Sequence, residues 1–214
     1  MTAFATPNPI ALTVDVLSAD VTVIASDRTD TIVHIRPGDA AKTADVRAAE
    51  HTQVDFGDNT LTVRTPKSWR THAPFGGNPT IEVTIEVPTG SRLHATAGMG
   101  RVVGAGPLGD CELKVSAGDI VVEQPQGSVT AKTAKGNIRI GEAVRGVLQL
   151  QTSVGELEVG IHPGSIARLE SNTPNGAVYN QLAAADSHSE DNIVHVYARN
   201  SFGNVIIGHA TATR

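Results

Sequence analysis

The segment HSEDNIVH places His188, Glu190, Asp191 and His195 within eight residues, and these are the donor types that zinc or calcium takes. It begins in a polar stretch and ends in an apolar alternation, which separates His195 from His188 and favours a solvated loop over a metal site. A dense Gly-Asp pattern of period near nine, which calcium-binding β-helices need, is absent. Glu123, Glu142, Glu156 and Glu158 could in principle supply the acid and base of glycoside cleavage. They fall at different offsets from the glycines that recur around them, so spacing pairs none of them. The stretch TPKSWRTHAPFGGNPT, residues 65–80, holds Trp69, Arg70, His72 and Phe75, and two aromatics beside a guanidinium are what binding anchors are made of. The same two rings could instead fold back over an open end or side of the structure. Cys111 is the single cysteine, which excludes an internal disulfide, and its place in an apolar alternation reads as a small buried hydrophobe. No phosphate-binding Gly loop, nucleophile elbow or HExxH helix is present. The sequence therefore assigns no catalytic residue, no metal ligand and no cofactor.

The elements that must carry these residues repeat. KVSAGDIVV is answered by AKTAKGNIRI, and aligning on the glycine extends the series to Gly100, Gly118, Gly136, Gly155, Gly176 and Gly203. The spacings are 18, 18, 19, 21 and 27, the last enlarged by the insertion NQLAAADSHSEDN. Fainter copies precede them, LTVDVLSADVTV with Ala19 at the anchor and TQVDFGDNTLTV with Asn59 there. Positions seven, five and three before the anchor and two and four after it are mostly apolar or small. Cys111, Leu113, Val115, Ile120 and Val122 fill them around Gly118.

Period-two alternation sends successive side chains to opposite faces, so each copy reads as two short strands with one buried face, joined at a glycine bend. Glycine accepts positive φ there, and Asp119, Asn137 and Asn204 just after it can hydrogen-bond the local backbone. One such unit cannot bury its own apolar face, whereas a stack of them can. The expected fold is all-β, a β-solenoid-like stack of short strands with 18–21-residue repeats. One short helix is expected near residues 39–50, DAAKTADVRAAE, with Asp39 as its cap. The two prolines of MTAFATPNP should keep that segment out of any ladder, and the C-terminal copy with its apolar strand NVIIG should be the exposed end of the stack.

Composition agrees with one β-repeat domain over 1–214, in which 10–88 hold N-terminal strands and divergent repeats and 89–209 the regular ones. At 214 residues the chain can bury roughly 70% of its unfolded surface. Hydrophobic residues reach 40% while aromatics stop at 3%, so the core must be built in aliphatic layers. A formal charge of −5 without a Lys/Arg cluster argues against nucleic acid and against an anionic bilayer. The absence of a signal-like N-terminus and of a long apolar run points to a cytoplasmic chain not inserted in a membrane.

The T/S-x-x-G-D/N-x-x-V/I units, the lead-in TIEVTIEVPTGSRLHATAG, and the segments SDRTDTIVHIRP and ADVRAAEHTQVDF resemble the bacterial candidate-adhesin family of β-strand-repeat proteins, also called toastrack domains, in its actinobacterial branch. The likeness covers about residues 10–209. TAKGNIRI, TSVGELEV and TPNGAVYN keep the family's glycine but lose its Asp, which argues against an ion-binding Asp ladder. The resemblance implies a solenoid-like fold, a role tied in some relatives to cell-envelope sensing or adhesion, and no catalytic residues. The expected function is a non-catalytic binding or scaffold protein with a protein partner, able to form a homodimer through its C-terminal end or a neighbouring face. The alternative is a carbohydrate-active enzyme or lectin with a groove along one face.

Overall fold

The computed structural model describes residues 1–66, 79–182 and 192–210. In chain order its elements are β1 (Thr2–Ala5), β2 (Ala11–Ser26), β3 (Asp30–Pro37), helix α1 (Thr43–His51), β4 (Gln53–Gly57), β5 (Thr60–Arg64) and β6 (Ile81–Pro88). The repeats follow as β7 (Arg92–Met99), β8 (Val102–Leu108), β9 (Cys111–Ala117), β10 (Ile120–Pro125), β11 (Val129–Lys135), β12 (Ile138–Ala143), β13 (Gly146–Val154) and β14 (Leu157–Ile161). The last are β15 (Ile166–Asn172), β16 (Val178–Asn180), β17 (Ile193–Phe202) and β18 (Val205–His209).

Each regular coil gives one strand to a front sheet and the next to a rear sheet. In front, β7, β9, β11 and β13 run parallel in register, so that Ala95, Leu113, Ala131 and Leu150 stand in one row. Behind, β8, β10, β12 and β14 do the same, with Val102, Ile120, Ile138 and Leu157 aligned. These inward rows are buried, as the alternation requires. The row through Leu113 alternates small and large, and Ala198 continues it, so each leucine fills the space its alanine neighbours leave. Aliphatic burial at about 1.5–3 kcal/mol per side chain makes this layered core the main stabilising term.

The recurrent glycine is required by close approach as well as by its dihedral. Gly118 has φ 145° and Gly136 has φ 147°. A Cβ on Gly136 would lie 2.1 Å from the carbonyl oxygen of Gly118, and one on Gly118 would lie 2.0 Å from that of Gly100. The same contact runs from Gly155 to Gly136, Gly203 to Gly155 and Gly176 to Gly203. The Thr three residues before the glycine completes the motif. Thr133 Oγ1 donates to Gly118 O at 3.1 Å and Thr152 Oγ1 to Gly136 O at 2.9 Å, while Asn200 Nδ2 serves Gly155 O at 2.7 Å. Side chains after the bend continue the ladder. Asp119 accepts from the Asn137 amide and Asn137 from the Glu156 amide, both at 2.8 Å.

Both chain-terminal coils are threaded inside the stack. β2 crosses both sheets, its first half lying between β5 and β7 in front and its second between β6 and β8 behind. At the other end β17 lies between β13 and β15, and β18 between β14 and β16. The copy around Gly203 is therefore an internal rung, and the copy around Gly176 is the outermost one. This corrects the expectation that NVIIG forms the free end: β18 hydrogen-bonds on both sides, and Ile206 lies half-buried in the middle of it.

Three local expectations also change. TQVDFGDNTLTV is no repeat but an antiparallel hairpin, β4 to β5, because Asp58 (φ 48°) and Asn59 (φ 56°) form a two-residue turn with both dihedrals positive. Residues 2–5 do extend a ladder, since β1 pairs antiparallel with β3, and Pro7 and Pro9 follow it without interrupting it. The helix starts at Thr43, and Asp39 does not cap it; the Asp39 carboxylate accepts from the Ala41 amide at 2.9 Å in a turn before the helix.

The N-terminal end of the stack is closed by non-repeat elements. β3 pairs antiparallel with β6, and β4 with β5. From β1 in the rear and β4 in front, the rings of Phe4 and Phe56 meet with centroids 5.1 Å apart and pack on the core. Buried Asp45 of α1 accepts from the Asp39 and Thr80 amides, both at 3.1 Å, and ties the helix to the residue just ahead of β6.

Candidate functional site

Trp69, Arg70, His72 and Phe75 lie outside the described residues, as do His188, Glu190 and Asp191. His195 lies half-buried on β17, in register with Val147 and Arg168. Among the described residues no group of three or more His, Cys, Asp or Glu side chains could hold a metal. The four acids weighed for acid–base work are dispersed. Glu142 stands 3.8 Å from His162, Glu158 3.7 Å from Arg139, and Glu156 accepts from Asn204 Nδ2 at 3.1 Å, while Glu123 is exposed on β10. Cys111 is buried, and burial first, then Asp110, pushes its thiol up to about 12, so no thiolate nucleophile is available. Gly100, Gly118, Gly136, Gly155 and Gly203 stand at bends with positive φ, and Gly176 stands beside Gly203 with no room for a Cβ.

The broadest ordered array of functional side chains is the outer face of the front sheet. Parallel register sets the residues six before Gly100, Gly118, Gly136, Gly155 and Gly203 in one row, His94, Glu112, Thr130, Gln149 and Tyr197, and those four before in the next, Thr96, Lys114, Lys132, Gln151 and Arg199. Rungs about 4.8 Å apart make each row about 19 Å long. Glu112 is the hub of the first row, with Lys114 Nζ at 2.6 Å and His94 Nδ1 at 3.3 Å. Lys114, and after it His94, holds the Glu112 carboxyl below its ordinary range. Lys114, Lys132 and Arg199 make the second row basic on a chain of net charge −5. These positions were missed from the sequence. Their signal was there, in constant offsets of six and four before the glycine, but only a known rung order turns those offsets into one face.

The rear face carries a recess of about 230 Å³ lined by His34, Arg36, Glu82, Thr84 and Glu86. Glu82 and Glu86 are four residues apart on β6, hence about 13 Å along a strand that rises ~3.3 Å per residue, beyond the separations of glycosidase acid pairs. Glu86 is further committed to Arg28, which also donates to Asp30 at 2.8 Å; that hydrogen bond is the main reason the Asp30 carboxyl is held low.

The family model described as Toastrack DUF4097 matches residues 10–192. No curated protein matches the chain. Among solved structures, a candidate cell adhesion protein from Clostridium sporogenes is similar at 12% identity and TM-score 0.51, over 97% of this chain and 98% of that one. A candidate adhesin from Bacteroides fragilis is similar at 12% identity and TM-score 0.42, over 96% and 95%. A candidate lipid binding protein from Parabacteroides distasonis follows at 15% identity and TM-score 0.36, over 98% and 94%. The likeness to the Clostridium structure is one of fold.

Proposed function

The chain belongs to the Toastrack DUF4097 family, and on that premise we propose that it is a non-catalytic binding scaffold that holds a protein partner on the outer face of its front sheet. One observation carries the reading: two rows of polar and charged side chains stand in register across the outer face of the front sheet, with no convergent acid and base among the described residues. A surface made by repetition is rigid and extended, which suits a macromolecule better than a metabolite. The basic row of Lys114, Lys132 and Arg199 complements an acidic segment of that partner. The name carried by the Clostridium structure, that of a candidate cell adhesion protein, supports adhesion as the wider role.

The test is capture from native lysate on immobilised protein. The unaltered chain should retain a partner that the Lys114→Glu/Lys132→Glu variant loses and that the rear-face control Glu123→Lys keeps, with all three melting alike. Equal retention by the front-face variant, or no retention by the unaltered chain, overturns the proposal.

A further inference from the structure

The outermost rung of the stack is the pair β15 and β16, and each has a described partner on one side only, β17 and β18 respectively. β15 carries none of the devices that blunt a sheet edge, having no proline, no bulge and no inward charge. Its core-facing side chains are incompletely covered: Ala167 and Leu169 are half-buried against the core, and Val178 on β16 is 42% exposed although its rung neighbour Val205 is buried. On its outer face Arg168 and Glu170 are exposed, and neither joins an ion pair among the described residues.

We propose that this edge is closed by a second copy of the same chain, β15 pairing antiparallel with β15 about a two-fold axis at Leu169. The strand reads Ile-Ala-Arg-Leu-Glu-Ser-Asn from 166 to 172, and reversing it about Leu169 sets Arg168 against Glu170 of the other copy, twice. Opposite charges thus meet at both cross-strand positions that flank the axis, on the outer face of the sheet. Leu169 meets its own counterpart on the inner face, flanked on each side by Ala167 against Ser171. An isologous contact of this kind closes on itself and consumes the free edge of both copies. A foreign peptide would have no reason to match this charge order. At the other end the outermost strands, β1 (TAFA) and β4 (QVDFG), also pair on one side only among the described residues, but neither carries an Arg–Glu order that reverses onto itself.

Sedimentation velocity and light scattering on the full chain, at concentrations up to roughly 0.1 mM, decide the matter. The unaltered chain should show a concentration-dependent dimer. Arg168→Glu, which turns both pairs repulsive, should weaken it at least about tenfold. Glu170→Arg should do the same, and the double reversal Arg168→Glu/Glu170→Arg should restore it, because the pairs then re-form with exchanged partners. One-chain mass throughout overturns the proposal. So does a dimer that Arg168→Glu leaves unchanged, or a double reversal that stays as weak as the single variants.

Discussion

The two ends of the stack solve one problem in opposite ways. At the N-terminal end the last parallel rung, β5 and β6, is overlaid by antiparallel β4, β3 and β1, and two of the chain's few aromatic rings plug the gap between the sheets. At the C-terminal end the last rung, β15 and β16, has the repeat's own construction and, among the described residues, no added layer. A strand stack needs its terminal backbone groups satisfied and its last apolar layer covered. The first end adds layers from outside the repeat, whose outermost strands β1 and β4 still pair on one side only, and the second adds none among the described residues. Both ends share one device, in that a chain-terminal coil is threaded inside the outermost rung.

The largest expected effect separates a bend near the open end from a turn at the closed one. Gly203→Val should destabilise the fold by ~4 kcal/mol or more in urea unfolding, since φ is 128° and a Cβ would lie 2.0 Å from Gly155 O. Gly57→Ala, whose added Cβ meets nothing within 4 Å, should stay within about 0.5 kcal/mol. Similar losses for both would show that close approach does not govern the glycines.

The covering layers give the next contrast. Phe56→Ala should cost about 2 kcal/mol, because it opens the plug over the core, and Leu169→Ala about 1 kcal/mol at protein dilutions where the chain is monomeric. A greater loss at Leu169 than at Phe56 would reverse the assignment of closed and open ends.

Hydrogen exchange sharpens the comparison without mutation. At dilutions where the chain is monomeric, amides of β17 and β18 should exchange more slowly than those of β15 and β16, although they lie closer to the C-terminus, because they are paired on both sides. The opposite order would contradict the threaded arrangement.

Acid should have the smallest effect. Arg28 lowers the Asp30 carboxyl, and Lys114 lowers that of Glu112. A carboxyl lowered in the folded state contributes stability that is complete above its ordinary value and is lost as pH falls through the lowered one. The melting temperature should therefore be level from pH 7 to about 5 and fall only below about pH 4, with Arg28→Ala flattening part of the fall. A decline already under way between pH 7 and 5 would assign the acid response to other groups.

Much of this molecule is written locally. Leu113, Val115, Ile120 and Val122 show the core face of their coil by alternation alone, and Gly118 shows its bend, because side-chain direction in a strand depends only on neighbouring residues. The all-β solenoid class, the aliphatic core and a short helix next to residue 50 follow from such signals. The Thr of T-x-x-G was visible as a residue, but its bond to the preceding rung's glycine was not, since acceptor and donor belong to different coils. Rung order was decided only in three dimensions. The copies around Gly176 and Gly203 share the anchoring glycine but differ inside, with Ser171 and Asn180 where the second has Ala198 and Ile207, and only the pairing of whole rungs shows that the more apolar copy stacks on β13 and β14. The same holds for Phe4 and Phe56, which nothing near either residue brings together. Alternation encodes which face of a strand is inside, whereas the neighbour beyond each strand depends on the free energy of the complete stack, and that choice created the front-face rows and the uncovered edge at β15.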